Sequence, residues 1–260
     1  AEMAEYVKAN GSMRSTTGKP AKLCVRPGEK CGIPHEAGST GFGVFHATKV
    51  AVEHAGMDLN GVTVAIEGFG NVGTFAMEYL TKSGAKVVAT SDSKGAIYNK
   101  DGLDYKKLMS VKSTKGSVIK YKPGKAIKGE KIFELPVDVV IPAAIPDSIN
   151  EKNWKKIKAD IVVEAANIPM TAKVENKLYK RDILVIPDFV ANSGGVISSY
   201  AEYKGYNPKE MLRLVERKIT RNTKLVLDHA RKNKESARDA GMDIAVHRVR
   251  EAMKRRKEIK

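Results

Sequence analysis

Between residues 62 and 186, short apolar runs alternate with stretches of helical periodicity, and that alternation restricts the chain to few architectures. The runs cover 62–66, 86–90, 137–141, 161–163 and 183–186. Each is continuous in β-branched residues rather than apolar at every second position, the pattern of strands covered on both faces. Helical patterns over 72–83, 103–111, 149–157 and 172–180 lie between them, and an earlier one over 42–56 stops at Gly56. Strands separated by crossover helices predict an α/β fold with a doubly wound, mostly parallel sheet. After Ala191 no further strand pattern occurs. Two long helical patterns follow Pro208, one through Arg231 and one over 243–257. With 260 residues there is chain enough for a large core.

The first strand-to-helix junction reads Gly68-Phe69-Gly70-Asn71-Val72-Gly73. A G-x-G-x-x-G string gains meaning only where a strand enters it and a helix leaves it, and here both do. Gly68 allows the tight turn, Gly70 lets a pyrophosphate approach the backbone, and Gly73 lets helix and strand pack closely. The helix start then offers N–H groups and a partial positive charge to phosphate. The sheet is therefore expected to be Rossmann-like and to bind a dinucleotide. The second strand run leads to Asp92, placed to accept from an adenosine ribose, which favours NAD. Lys94, with Ser91 and Ser93 beside it, can instead neutralise or hydrogen-bond a 2′-phosphate, so NAD and NADP both stay open. Residues 1–40, rich in Gly and Pro after a short helical start around Glu5 and Tyr6, read as a lead-in or hinge. Residues 41–203 read as the dinucleotide-binding domain and 204–260 as a C-terminal helical extension.

Forty-six Lys and Arg against thirty Asp and Glu leave a net charge of +16. Such a balance raises nucleic acid as a partner. From Lys204 to Lys260, however, 18 basic and 8 acidic residues interleave on helix-like sequence, as on solvated helix faces. No nucleic-acid-binding motif accompanies them, so nucleic acid is not expected. No apolar run nears the roughly 18 residues of a membrane span, and no membrane partner is expected either. Cys24 and Cys31 are too few for a disulfide framework and are expected to be thiols in a reducing, cytoplasmic setting. His35, His46, His54, His229 and His247 lack ligand spacing, so no metal site is predicted. The Lys-rich stretch 113–131 is expected to be a solvated excursion.

Further strings close the later strand runs: Pro142-Ala143-Ala144-Ile145, Glu164-Ala165-Ala166-Asn167, and Pro187-Asp188-Phe189-Val190-Ala191-Asn192-Ser193-Gly194-Gly195-Val196. Ligands of open α/β sheets sit beyond the carboxyl ends of strands, where these strings fall. Small side chains at Ala143 and Ala144 allow close approach, and the amides of Asn167 and Asn192 both donate and accept. Together with the glycine turn and residues 91–95, the strings resemble the glutamate dehydrogenases of the amino-acid dehydrogenase superfamily, in order, from about Thr40 to Val246. The resemblance implies oxidative deamination of L-glutamate to 2-oxoglutarate and ammonia, with hydride passing to nicotinamide C4 of NAD or NADP. It also implies a homo-oligomer, commonly a hexamer. Ala143 and Ala144 thus leave room for the nicotinamide ribose, and Ile145 beside them is expected among the coenzyme-binding residues. By the same resemblance Asn167 contacts the nicotinamide side, Asn192 faces the nicotinamide and the substrate, and Thr40, otherwise an N-cap, bonds the nicotinamide carboxamide. Val196 and Ser199 line the substrate pocket, with Ser199 bonding the side-chain carboxylate of glutamate.

Deamination needs a general base near the amine and cations around the α-carboxylate. The resemblance assigns both to a substrate domain that precedes the first residue of this sequence. No catalytic residue is therefore expected among the 260, which should bind dinucleotide without turning over glutamate. Two rival readings are a branched-chain or aromatic amino-acid dehydrogenase, disfavoured by the polar Ser199, and a stand-alone, non-catalytic nucleotide-binding module.

Overall fold

The computed structural model describes residues 2–23, 31–34 and 37–256. Its strands are β1 (Thr63–Glu67), β2 (Lys86–Asp92), β3 (Gly95–Tyr98), β4 (Lys125–Ile127), β5 (Val139–Pro142), β6 (Ile161–Val163) and β7 (Leu184–Ile186). They form a single sheet in the order β4-β3-β2-β1-β5-β6-β7. The five strands from β2 through β1, β5 and β6 to β7 pair in parallel, while β3 and β4 add an antiparallel edge beside β2. This is the expected Rossmann-like, mostly parallel α/β fold. Val64, Ile66, Val139, Ile141, Ile161 and Val163 enter one core, and Ala65, Val140 and Val162 enter a second core on the opposite face. Successive residues of a strand point to opposite faces, so a sheet covered on both sides needs apolar residues throughout. Asp138 pins the start of the central pair, its Oδ2 accepting from the backbone N and the hydroxyl of Thr63, both at 2.7 Å.

The helices are α1 (Glu2–Asn10), α2 (Ser39–His54), α3 (Asn71–Lys82), α4 (Tyr105–Lys115), α5 (Ala172–Tyr179), α6 (Asp188–Ala191), α7 (Gly194–Tyr203), α8 (Pro208–Asn233) and α9 (Ala237–Arg255). Helix α2 packs against α3, α7 and α8, and α9 returns along α8 to reach β7. A full capping box starts α8: Asn207 accepts from Glu210 N at 2.9 Å and Glu210 accepts from Asn207 N at 2.8 Å, with Pro208 at the first helical position. The lead-in is fastened to α7 by a buried ion pair, Lys19 to Glu202 at 2.6 Å, and Glu202 also accepts from the backbone N of Gly18.

Several expectations are corrected. Residues 149–157 do not form an α-helix; they hold a loop with one 3₁₀ turn, Trp154–Lys156. The amide oxygens of Asn150 and Asn153 bond nearby backbone N–H groups of Lys152 and Asn150, and such local bonds compete with a helix. The apolar positions Ile149 and Ile157 instead anchor the loop ends in the core. The stretch 113–131 is no plain excursion: α4 runs into it, Gly116 caps that helix in the left-handed region, and Val118 and Tyr121 are buried. Strands β3 and β4, of four and three residues, are too short to leave a periodicity. Thr40 is not an N-cap, because α2 begins at Ser39 behind Gly38, whose φ of 71° and contact with the Phe75 ring exclude a side chain. Cys31 is disulfide-bonded rather than a thiol; Cys24 and His35 lie outside the described residues.

Candidate coenzyme crevice

The chain leaves β1 for β2 on one side, while β5 lies on the other, so the carboxyl end of β1 is the switch point of the sheet, where open α/β sheets bind ligands. The glycine turn sits there. Gly68 has φ 98°, and a Cβ on it would stand 2.9 Å from that of Ala144, so the two sides of the switch point nearly touch. A Cβ at Gly73 would overlap the carbonyl oxygen of Gly68, which is why α3 can press against the turn. At Gly70 nothing lies within 4 Å of where a Cβ would be, and no side chain caps the start of α3. The turn is thus open where a pyrophosphate would approach Gly70, Asn71 and Val72, and closed where the fold needs contact. Ser91 holds it from below: its Oγ accepts from Gly68 N at 3.0 Å and its carbonyl accepts from Phe69 N at 2.7 Å.

On the β2 side, Glu67, Ser91, Asp92, Ser93, Ala144 and Ile145 border a hollow of about 730 Å³. Asp92 ends β2 as expected, yet it faces the protein. Its Oδ1 accepts from Lys94 N and Ser117 Oγ, both at 3.0 Å; its Oδ2 accepts from Lys112 Nζ at 2.6 Å and Val118 N at 2.9 Å. Burial pushes its carboxyl up, but the Lys112 ammonium and the two backbone N–H groups outweigh that and hold it below the usual range. Both oxygens of Asp92 are thus engaged within the protein, and the Lys112 ammonium balances its charge. Ser93 and Lys94 are exposed at the same rim, and Lys94 has no ion pair among the described residues.

On the β5 side, Ala143 N donates to Glu67 O at 2.8 Å and Ala144 N to Glu67 Oε2 at 3.3 Å, leaving Ala144 and Ile145 exposed at the crevice. Burial raises the Glu67 carboxyl above its ordinary range against those bonds. The structure joins Asn167 and Asn192: Nδ2 of Asn192 donates to Oδ1 of Asn167 at 2.8 Å and to Ala166 O at 3.2 Å. Thr40 meets the start of α7, its Oγ1 lying 2.8 Å from where a Cβ of Gly195 would be. Val196 and Ser199, three apart on α7, share a helix face, with Val196 73% exposed.

Four residues behind this wall have roles that the sequence does not announce: Glu164 and Asp188, which stand in the strand-end strings, and Glu175 and Arg238, which stand in none. Arg238 of α9 donates to Glu175 at 2.6 Å, Asp188 at 3.0 Å and Glu164 at 3.2 Å. Asp188 in turn accepts from Ile168 N at 2.9 Å, and its own N–H donates to Glu164 at 2.8 Å. One guanidinium therefore braces the two loops that carry Asn167 and Asn192. Glu164 is fully buried, and burial, with Glu175 beside it, pushes its carboxyl up to about 9, a neutral acid at pH 7. A Glu directly after Ile161-Val162-Val163 was the available signal, since a charge adjoining a buried strand requires a partner. The histidine spacing likewise concealed one gathering: His229, Glu235 and Asp243 place ligand-type atoms within 4.8 Å of one another.

The family model for Glutamate/Leucine/Phenylalanine/Valine dehydrogenase matches residues 31–257. A glutamate dehydrogenase of Aeropyrum pernix is 43% identical over 250 residues, 92% of this chain and 58% of that protein. An NADP-specific glutamate dehydrogenase of Saccharolobus shibatae is 36% identical, over 97% of this chain and 60% of its own length. The hetero-hexameric glutamate dehydrogenase of Thermus thermophilus, in a leucine-bound form, superposes with a TM-score of 0.84 at 27% identity, covering 98% of this chain and 60% of that one. The chain thus spans 58–60% of the length of these curated relatives. Matches of this extent, in sequence and in fold alike, establish that the chain belongs to the Glutamate/Leucine/Phenylalanine/Valine dehydrogenase family.

Proposed function

We propose that these residues form the coenzyme-binding half of an NAD(P)-dependent glutamate dehydrogenase, acting on L-glutamate and 2-oxoglutarate together with a substrate domain, in a homo-oligomer that the family resemblance makes a hexamer. The observation that carries this reading is the crevice at β1 and β5, open at Gly70 and walled by Ala144 and the joined pair Asn167–Asn192. In the proposed division, 1–40 is the lead-in, 41–203 binds the dinucleotide and 204–260 is the helical extension. Gly68 to Gly73 hold the pyrophosphate, Ala143 to Ile145 leave room for the nicotinamide ribose, and Thr40, Asn167 and Asn192 orient the nicotinamide. When bound, the oxidised nicotinamide ring accepts a hydride at C4. Asn192 donates to Asn167 and leaves the outer edges of both amides to hold the carboxamide, which decides the ring face turned toward the substrate. Val196 and Ser199 face the substrate, Ser199 bonding the glutamate side chain.

The internal commitment of Asp92 favours NADP binding at least as tight as NAD, with Ser93 and Lys94 meeting the 2′-phosphate. Calorimetric titration of the chain tests this. Lys94→Glu is expected to weaken NADP by at least tenfold, about 1.4 kcal/mol, the scale of one charge-assisted bond, and to leave NAD nearly unchanged. Uptake of neither coenzyme by the folded chain overturns the reading. Substantial reduction of coenzyme by these residues with glutamate overturns the placing of the catalytic groups elsewhere.

A further inference from the structure

Helix α8 presents Arg217, Lys218, Arg221 and Asn222 over little more than one turn, and α9, running back along it, brings Arg248 opposite. These five residues line a hollow of about 440 Å³, and no carboxylate takes part in its wall. The four cations are exposed, and none makes an ion pair among the described residues. Several lysines and arginines elsewhere on the surface have a carboxylate beside them, as in Lys82–Glu78, Lys131–Glu134, Arg231–Asp228 and Lys254–Glu251, whereas none of these four does among the described residues. The fold does not demand the concentration. Helix α8 is held by its other face, through Met211, Leu214, Val215 and Ile219 in the core, and either charge sign would serve on the solvent side. Like charges at i and i+4, such as Arg217 and Arg221, cost a helix a few tenths of a kcal/mol.

We infer that the cleft between α8 and α9 is a binding site for a short linear polyphosphate, either inorganic or the tail of a nucleotide. Guanidinium groups meet phosphate oxygens in pairs of parallel N–H bonds, which arginines from two helices can supply from two directions, while Lys218 adds a point charge and Asn222 a neutral donor. A compact hollow between two helices fits a short chain of phosphates better than a duplex, which needs a longer track of cations along its backbone. The wall shares no residue with the coenzyme crevice, so the inference stands apart from the function proposed above.

The test is calorimetric titration of the chain, first saturated with NADP, with inorganic tripolyphosphate at 50 and 200 mM KCl. One-to-one binding that weakens with salt is expected, at least tenfold weaker in the double variant Arg221→Gln/Arg248→Gln. An unchanged coenzyme affinity in that variant shows that it is folded. ATP within about threefold of tripolyphosphate, with adenosine silent, identifies the phosphate chain as the recognised group. No binding beyond that of orthophosphate overturns the inference, as does equal affinity in the double variant. Displacement of tripolyphosphate by duplex DNA at lower concentration than ATP requires, or ATP binding tens of times tighter than tripolyphosphate, overturns it too.

Discussion

On the β2 side of the crevice, the glycine turn, Ser91 and Asp92 come from one continuous stretch, residues 63–118, and what that stretch presents to the opening at Gly70 is mainly backbone. On the β5–β7 side, Thr40, Ala144, Asn167 and Asn192 arrive from four separate segments and present mainly side chains. The first half is shaped by what glycine lacks, contact at Gly68 and Gly73 and open space at Gly70. The second is held by a charge brace, in which Arg238, from beyond both asparagine loops in sequence, ties Glu164, Glu175 and Asp188. A local backbone site and a braced side-chain site should fail in different ways.

The largest effect is expected at Gly73. A methyl group there would overlap the Gly68 carbonyl, and since backbone cannot yield as a side chain does, Gly73→Ala should cost about 3 kcal/mol and abolish binding of both NAD(P) and ADP-ribose. A Gly73→Ala chain that binds either ligand as the parent does would remove the backbone half of the contrast. Next comes Arg238→Met, which strands the carboxylates of a largely buried cluster at a cost of about 3 kcal/mol by urea unfolding. At temperatures where the variant is folded it should weaken the full dinucleotide at least tenfold and ADP-ribose hardly at all. Equal losses for the two ligands would mean that Arg238 merely supports the fold.

Glu164 supplies a pH readout of the same brace. Its carboxyl is raised from the ordinary 4.5 to about 9, so the folded chain keeps a proton that the unfolded chain releases. This stabilisation is complete below pH 4.5 and is lost as pH rises toward 9, by no more than about 1.4 kcal/mol per pH unit for one proton. Glu164→Gln cannot ionise, so relative to the parent it should gain stability steadily from pH 5 to pH 8.5. A difference that does not change with pH would show that Glu164 is ionised in the fold. The smallest effect is expected from Asn192→Ala, which removes the bond to Asn167: a loss of about fivefold in dinucleotide affinity, near 1 kcal/mol, with ADP-ribose unchanged.

The same division decided what could be read in advance. The five parallel strands were legible because their two covered faces demand unbroken apolar runs, and the turn because each glycine has its own steric reason. The edge strands β3 and β4 were not, since three or four residues carry no period and their pairing depends on the neighbouring strand. Ile149 and Ile157 have helix-like spacing but anchor a loop that Asn150 and Asn153 organise. Asp92 was found at its strand end, but its orientation depends on Lys112 and Ser117, twenty and twenty-five residues on, which no local pattern announces.

The order of residues alone determined the α/β class, the place of the glycine turn and the strand ends that border the crevice, because these follow from burial periodicity and from the room a missing Cβ leaves. Only the tertiary structure decided that Asp92 is neutralised from within, that Asn167 and Asn192 act as a joined pair, that Arg238 braces both, and that the cations of α8 and α9 surround one hollow. Each of these is a meeting of side chains from distant segments, and its energy depends on distance and dielectric, which exist only once the chain has folded.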